Sequence, residues 1–210
     1  MQTSLDHLVV VAPTLEAGDR FVSQRLGVAL QQGGCHPLMG THNKLLRLGT
    51  SFYLEVIAID PTAPPAGRPR WFALDGLPAN ASPRLAHWVA KTDTLKSLGP
   101  MFTEVVGQVQ PMSRGELRWD ITILADGGLP LEGAAPSLIQ WGQPVHPATM
   151  LEDRACSLQR LDIFHPAPER ISHLLDAIHF SGPVRLHRCD SIATSRLVSC
   201  IETPGGLRHL

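Results

Sequence analysis

Residues 36–60 read HPLMGTHNKLLRLGTSFYLEVIAID, and this segment decides the fold of the chain. Two apolar runs, residues 44–48 and residues 51–59, flank the turn-forming pair Gly49 and Thr50. The second run is rich in residue types that favour strands, and a glycine-containing turn between two such runs predicts a β-hairpin. The chain is therefore expected to be built on short strands that pair locally.

One acid interrupts the second strand of this hairpin. Because side chains alternate across a strand, Glu55 shares a face with Tyr53, Ile57 and Ile59. A carboxylate among apolar side chains needs a partner, since an unpaired buried charge is costly. The residues alone leave three kinds of partner open: a cation, a hydrogen-bonding side chain, or a bound metal ion.

The composition argues against several classes of protein. The 210 residues suffice for a sizeable core, and a formal net charge of −1 without a basic patch argues against a nucleic-acid partner. The N-terminal apolar run is too short, and too close to Asp6 and His7, for a signal peptide or a membrane span. Four cysteines without C-x-x-C spacing predict free thiols and a cytoplasmic protein.

A strand, a helix and a short strand are predicted before the hairpin. Residues 5–12 alternate as a strand, Thr14 can cap the helix that follows, and Gly27 is a natural helix stop. Residues 28–31 predict a short strand, and a glycine-rich loop that begins at Gly33 then leads to the hairpin. This first module therefore has the order strand-helix-strand-strand-strand.

The same order returns after a connector at residues 61–83. The connector is rich in Pro, Ala and Gly, and its Trp71 and Phe72 are expected to pack on the body of the protein. The predicted elements of the second module are a strand at 84–91, a helix capped by Thr92 or Asp93 that runs to residue 98, and strands at 104–109, 116–124 and 136–141.

Polar residues recur at matching places in the two modules. His7 and His87 lie in the first predicted strand of each module, and Glu55 and Gln140 lie in the last. A repeat of element order together with polar positions is an internal-repeat signal, although few residues are identical between the halves.

The C-terminal residues predict a further unit. Residues 157–164 alternate as a strand, and Pro168 stands near the first turn of an amphipathic helix. Residues 184–187 and 196–201 predict closing strands. We expect an α+β fold in which this partial third βαββ unit packs on the two βαβββ modules.

Paired βαβββ modules with polar residues in their first and last strands resemble the vicinal oxygen chelate superfamily. The opening LDHLVVVAPTLEAGDRFVSQRLG, followed by residues 36–60, is similar to its glyoxalase-like branch. The resemblance covers about residues 4–143 and implies a U-shaped half-barrel cup. It implies one domain at residues 1–150, with modules at about 4–60 and 84–143, and an extension at residues 151–210.

The resemblance also implies a divalent metal, Ni, Co, Mn, Fe or Zn, and no organic cofactor. Its ligands would be His7, Glu55, His87 and Gln140, with Glu55 also a catalytic candidate. Gln140 departs from the glutamate that glyoxalase I has there, and a neutral amide is a weaker ligand and a poor base. The alternative is a metal-free cup in which Glu55 pairs with His7 or His87.

The loop before the hairpin holds a second group of candidates, His36, His42 and Asn43. Their side chains could bond backbone groups and hold the loop. They could instead lie at the mouth of the cup, with His36 and Asn43 as substrate contacts and His42 as a catalytic proton carrier.

A third group, Arg114 and Arg118 with Trp119 and Trp141, stands in or beside the last strands of the second module. Arg118 could point into the cup and meet an anion. Trp119 and Trp141 could line a substrate site, or they could simply belong to the core.

These observations predict a metal-dependent lyase, isomerase or dioxygenase that acts on a small vicinal-oxygen substrate. The alternative is a metal-free protein that sequesters a small molecule, as resistance proteins do. A third option is a metal-free enzyme that uses Glu55 or a histidine as base. The C-terminal unit could cap the cup or form a homodimer contact.

Overall fold

The structure, a computed structural model, describes residues 2–95, 99–142 and 145–210. Thirteen strands form two sheets, and three α-helices pack against them. The strands are β1 (Thr3–Val11), β2 (Gln31–His36), β3 (Thr41–Arg47), β4 (Tyr53–Ile59), β5 (Arg84–Thr92), β6 (Gln108–Arg114), β7 (Leu117–Ile123), β8 (Ser137–Trp141), β9 (Ser157–His165), β10 (Phe180–Ser181), β11 (Val184–Arg188), β12 (Arg196–Thr203) and β13 (Gly206–His209). The helices are α1 (Leu15–Leu26), α2 (Pro100–Val106) and α3 (Pro168–Ala177). Within these described residues, no helix is long and apolar enough to cross a membrane.

Helix α1 begins and ends at the predicted residues. The Thr14 hydroxyl accepts a hydrogen bond from the Ala17 N–H at 3.1 Å and so caps the helix. Gly27 ends it in the left-handed conformation, with φ at 70°, which glycine adopts without steric cost. Val22 and Leu26 are buried on the helix face that packs against the sheet. Local signals therefore fix this element.

The two modules form one curled sheet with the strand order β2-β3-β4-β1-β5-β8-β7-β6. In each module the first strand runs parallel to the last, and β1 and β5 join the modules as an antiparallel pair. The sheet curls into a half-barrel, with β2 and β6 as its two free edges. The predicted α+β fold of paired βαβββ modules is confirmed.

Side-chain alternation gives this sheet two different faces. Leu8, Val10 and Val56 point to the convex side and join a cluster with α1 and the C-terminal unit. Val9 and Ile57 point to the concave side and join a second cluster. The concave side is the cup in which the polar candidates meet.

Two predicted strands differ from the observed elements. The strand expected at 28–31 instead spans Gln31–His36 and includes Gly33 and Gly34, because pairing with β3 outweighs the weak strand propensity of glycine. The strand expected at 104–109 is α2 followed by β6. The helix expected to run to residue 98 falls partly on residues 96–98, which lie outside the described residues.

The connector holds its aromatic pair against the cup, as predicted. Trp71 and Phe72 expose only 4% and 5% of their surface. Phe72 and Ala73 have positive φ angles of 57° and 55°, and the Ala73 N–H donates to the Gly127 carbonyl at 2.8 Å. A side chain at Gly127 would meet the Arg70 carbonyl at 2.1 Å, so glycine is required where the connector docks.

The C-terminal unit forms the second sheet, in the order β11-β9-β12-β13, and also reaches into the first. Its short strand β10 pairs in parallel with the start of β1, Thr3 beside Phe180. The Phe180 ring contacts Trp88 of β5, with 5.2 Å between ring centroids. The unit therefore backs the central strands of the half-barrel.

Candidate active site in the cup

A small cavity lies on the concave side of the half-barrel. Its polar lining consists of His7, His36, Glu55 and Arg114. The cavity volume is about 20 Å³, room for about one water molecule. So small a cavity excludes bulk water. The electrostatic interactions among its buried polar groups are stronger for that reason.

Aromatic rings form most of the remaining wall. They come from β4, the connector, β7 and β8, and they are Tyr53, Trp71, Phe72, Trp119 and Trp141. Trp119 and Trp141 are cross-strand neighbours, with centroids 5.3 Å apart. The cup therefore offers flat apolar walls around a polar floor.

A β-bulge brings Asp6 and His7 together, although consecutive strand residues normally point to opposite faces. Leu5 pairs with Ala90 and His7 pairs with Val89, so Asp6 is the extra residue of the bulge. The His7 Nδ1–H donates to the Asp6 carboxylate at 2.6 Å. This bond leaves the Nε2 atom of His7 as the ring nitrogen available to the cup.

Asp6 is fully buried and accepts two more hydrogen bonds. The Trp141 indole N–H donates at 2.8 Å and the His146 Nε2–H at 2.9 Å. The Nδ1 atom of His146 accepts from the Ala148 N–H, which places the His146 proton on Nε2. Burial acts to raise the pKa of Asp6, but the bonds from His146 and His7 outweigh it and hold the pKa well below its usual range.

His7 faces Glu55 without bonding it. The Tyr53 ring stacks on His7, with 4.7 Å between centroids and 15° between planes, and so fixes the imidazole. The Nε2 atom of His7 then lies 3.6 Å from Oε2 of Glu55, longer than a hydrogen bond. Both atoms are therefore placed to bond a third group in the cup.

Asn43 holds the other carboxylate oxygen of Glu55. The Asn43 amide donates to Oε1 of Glu55 at 2.5 Å and accepts from the Gly34 N–H at 2.8 Å, which fixes the amide orientation. A side chain at Gly33 would come within 2.0 Å of the Asn43 amide oxygen. The bulge in β2 and its two glycines thus make the space that Asn43 occupies.

His36 lies beside this pair and is neutral near pH 7. Burial lowers its pKa to about 4, with a smaller opposing effect of Glu55. Its Nδ1 atom bonds the Thr41 hydroxyl at 3.0 Å, and its ring meets the Trp71 ring edge to face, with 5.1 Å between centroids. His36 therefore adds a neutral polar edge to the cavity wall.

His87 lies in the core behind Phe72. Its Nε2 atom accepts from the Ser137 N–H at 3.1 Å and lies 2.9 Å from the Ser137 hydroxyl. Burial lowers its pKa to about 3. The Nε2 atom of His87 therefore bridges β5 to β8 and is not free to bind a metal.

Three of the predicted site residues, Gln140, His42 and Arg118, do not point into the cup. The Gln140 amide oxygen accepts from the Leu95 N–H at 2.9 Å, on the opposite face from Ile139 and Trp141, which line the cavity. Strand alternation is the reason, because the last strand presents its odd-numbered residues to the cup.

The same alternation directs His42 away from the cup: its side chain points to the convex face, while its neighbour Asn43 points inward. Arg118 also lies outside the cavity: its guanidinium donates to the Gly115 and Leu117 carbonyls at 2.6 and 2.9 Å. Of the other predicted substrate contacts, His36, Trp119 and Trp141 line the cavity, and Asn43 reaches it through Glu55.

The predicted metal ligands do not converge as a set. His7 and Glu55 present one atom each to the cup, Nε2 of His87 is engaged by Ser137, and Gln140 points away. Within the described part of the chain, no group of three or more His, Cys, Asp or Glu side chains is placed to hold a metal ion. The residues present therefore do not fit the four-ligand site, and a bound divalent metal stays a prediction.

Sequence reasoning missed two contributors, Asp6 and His146, whereas Arg114, which the sequence groups with Arg118, lines the cavity. Asp6 had a usable signal, since it is a second acid in an apolar strand and precedes a histidine. His146 had none, because it reaches Asp6 from an irregular segment 140 residues away in sequence.

The fold and the cup define a half-barrel protein of paired βαβββ modules with an enclosed polar cavity. Residues 5–179 match the model of the glyoxalase-like domain, and the chain belongs to that family. The predicted resemblance to the glyoxalase-like branch is thereby confirmed. The match continues beyond residue 150 through β9 and α3.

Solved structures include similar folds. A hypothetical protein from Staphylococcus aureus superposes with a TM-score of 0.65 at 15% identity, over 93% of this chain and 88% of that chain. A methylmalonyl-CoA epimerase from Mycobacterium tuberculosis gives a TM-score of 0.39 at 14% identity, over 65% of this chain and 85% of that chain. The first likeness shows the fold alone. No curated protein matches the sequence.

Proposed function

We propose that this protein is an enzyme of the lyase or isomerase type that moves a proton on a small vicinal-oxygen substrate. The observation that carries the proposal is the Asp6–His7 pair, whose free Nε2 atom faces Glu55 across 3.6 Å. A histidine oriented by a buried carboxylate is a common general base. Family membership supports a small molecule as the substrate.

His7 acts as the base. Its Nδ1–H is held by Asp6, so the lone pair on Nε2 accepts a proton from a carbon or oxygen of the substrate. The imidazolium that forms lies between two carboxylates, Asp6 at 2.6 Å and Glu55 at 3.6 Å. Negative charge therefore lies on both sides of the ring, next to the cation that forms when His7 takes up the substrate proton.

Glu55 is the second proton-handling group. Asn43 occupies Oε1, and Oε2 remains free toward His7 and the cavity. A substrate oxygen between the two side chains would touch both Nε2 of His7 and Oε2 of Glu55. The proton taken by His7 can then return to a different substrate atom, which is the step that lyases and isomerases share.

The aromatic wall favours a second candidate, a protein that binds and sequesters a flat molecule. Five rings line the cavity, together with Ile121 and Ile139, and stacking alone can hold an unsaturated ligand. This candidate requires affinity but no proton transfer, so the two functions separate in one assay.

Deuterium exchange is that assay. The protein is incubated in heavy water with hydroxyacetone, lactate, mandelate and 2-oxobutanoate, and NMR follows deuterium at the carbon next to the oxygen. We expect exchange with the wild type, loss in His7→Gln, and retention in His173→Gln, which changes an exposed histidine of α3. Exchange that survives in His7→Gln would refute the role of His7, and binding without exchange would favour sequestration.

The same samples test the predicted metal. Protein purified without a histidine tag is analysed for metal, and exchange is repeated after chelation and after addition of Ni, Co, Mn, Fe or Zn. If a metal is bound through Glu55, Glu55→Gln reduces its occupancy. Unchanged occupancy excludes Glu55 as a ligand.

A further inference from the structure

Arg114 places a positive charge at the cup. It is the last residue of β6, half-buried, and it lines the same cavity as His7 and Glu55. Within residues 2–95, 99–142 and 145–210, no hydrogen bond or ion pair engages its guanidinium. An arginine that faces a closed aromatic cavity without an anion is an open binding position, because its five N–H donors need acceptors.

Its side chain reaches the cup across the gap between the two edges of the half-barrel. β2 and β6 are the end strands of the sheet, and they contact each other there. A Cβ atom at Gly34 of β2 would lie 3.0 Å from Cδ and 3.1 Å from Cγ of Arg114. The arginine stem therefore lies directly over this glycine, and a larger residue would displace it.

The charge of Arg114 is felt inside the cavity. Burial is the main cause of the lowered pKa of His36, and the positive charge of Arg114 adds to it. The same charge opposes the rise that burial causes in the pKa of Tyr53. The charge of the Arg114 guanidinium thus affects the pKa values of both His36 and Tyr53.

The two acids of the site are not available to neutralise it. Asp6 already accepts bonds from two histidines and an indole, and Glu55 accepts from Asn43 and faces His7. Among these lining groups, the hydrogen-bond donors that remain open are those of Arg114. Planar bidentate binding of a carboxylate is what a guanidinium does best.

We propose that Arg114 binds the carboxylate of the substrate, which makes the substrate class a small organic monocarboxylate. The inference rests on the proposed function for the reaction at His7, but it concerns binding alone. The carboxylate binds Arg114, between β2 and β6, and the apolar part lies against the aromatic wall. The side chains around the cavity must move apart to admit such a substrate, because the volume of about 20 Å³ holds only about one water molecule. The carbon or oxygen that gives up a proton then faces His7 and Glu55.

Calorimetric titration with two matched ligand pairs tests this directly. Benzoate is compared with benzamide, and lactate with lactamide, because each amide keeps the shape and removes the charge. The wild type should bind each acid more tightly than its amide. Arg114→Gln should weaken the acids by roughly 10- to 100-fold, the worth of charged hydrogen bonds, and leave the amides unchanged.

Arg118→Gln is the matched control, since it removes the same charge from the same hairpin but outside the cavity. It should bind both acids as the wild type does. Arg114→Lys should show an intermediate loss, because charge remains but bidentate geometry does not. Gly34→Val, which keeps the arginine but pushes its stem, should also weaken the acids.

Several results would overturn the inference: no acid binds the wild type, acids and amides bind equally, or Arg118→Gln weakens the acids as much as Arg114→Gln. Deuterium exchange by His7→Gln and acid binding by Arg114→Gln together separate the two proposals. If His7→Gln still exchanges deuterium while Arg114→Gln loses the acids, the proposed reaction at His7 fails and carboxylate recognition stands.

Discussion

Replacing Asp6 with asparagine should move the proton of His7 from Nδ1 to Nε2. The Trp141 and His146 donors both point at Oδ2, and neither can become an acceptor, because the indole has only a donor and Nδ1 of His146 is occupied by Ala148. In Asp6→Asn the amide oxygen must therefore take the place of Oδ2. The amide N–H then faces Nδ1 of His7, which has to accept, and the His7 proton moves to Nε2.

The expected effect on rate is large and the effect on stability is moderate. With a proton on Nε2, His7 cannot act as base toward the cup. The corresponding exchange beside the catalytic histidine of serine proteases costs about 10⁴-fold, and we expect a loss on the order of 10³–10⁴ in deuterium exchange. Three charged hydrogen bonds become neutral ones, which lowers the free energy of unfolding by roughly 1–3 kcal/mol.

Two measurements report these effects separately. Long-range proton–nitrogen NMR distinguishes an Nδ1–H from an Nε2–H imidazole, and urea unfolding gives the stability. Asp162→Asn is the matched control, since Asp162 is also buried and bonds a histidine, His187, at 2.7 Å, but lies in the second sheet. It should lose stability and keep the exchange rate.

The reasoning is refuted if Asp6→Asn keeps the wild-type exchange rate, or if His7 keeps its proton on Nδ1 in that variant. A loss of exchange without a change of tautomer would mean that Asp6 supports folding of the site and does not orient the base.

Two further predictions follow from the glycines and from the buried histidines. Gly33→Ala should displace the Asn43 amide and lower exchange, while Gly76→Ala, where nothing lies within 4 Å, should not; equal activity of the two variants would contradict the role given to Asn43. His36 and His87 have folded-state pKa values of about 4 and about 3 against an ordinary value of 6.5, so between pH 6.5 and 4 the unfolded chain binds protons that the folded chain does not. Stability should therefore fall as the pH falls, by about 3 kcal/mol from pH 6.5 to 5 for both histidines together, and a urea midpoint that is constant over this range would contradict their burial as neutral rings.

The elements that depend on local signals were predictable from the sequence. Helix α1 has its cap at Thr14 and its stop at Gly27, and both signals act within one turn. Alternation along β4 predicted the face that Glu55 shares with Ile57. The repeat of the two modules followed from their element order, and the half-barrel was what the family resemblance implied.

The site itself depends on features that alternation does not reveal. A bulge adds one residue to a strand, and only the partner strand shows where it falls, so the contact between Asp6 and His7 could not be read from their spacing. In β8 the phase relative to the cup is set by pairing with β7, and it turns Trp141 inward and Gln140 outward. The resemblance gave the right strand but not the side chain on its inner face.

The short pairing between β10 and β1 has a consequence for how the chain folds. β1 precedes all of its neighbours in the sequence, which come from β4, β5 and β10, and β10 follows it at residues 180–181. Contacts between such distant segments form late and slow the folding of β-rich chains. The strand that carries Asp6 and His7 therefore completes its pairing only after residues up to Ser181 have joined the chain.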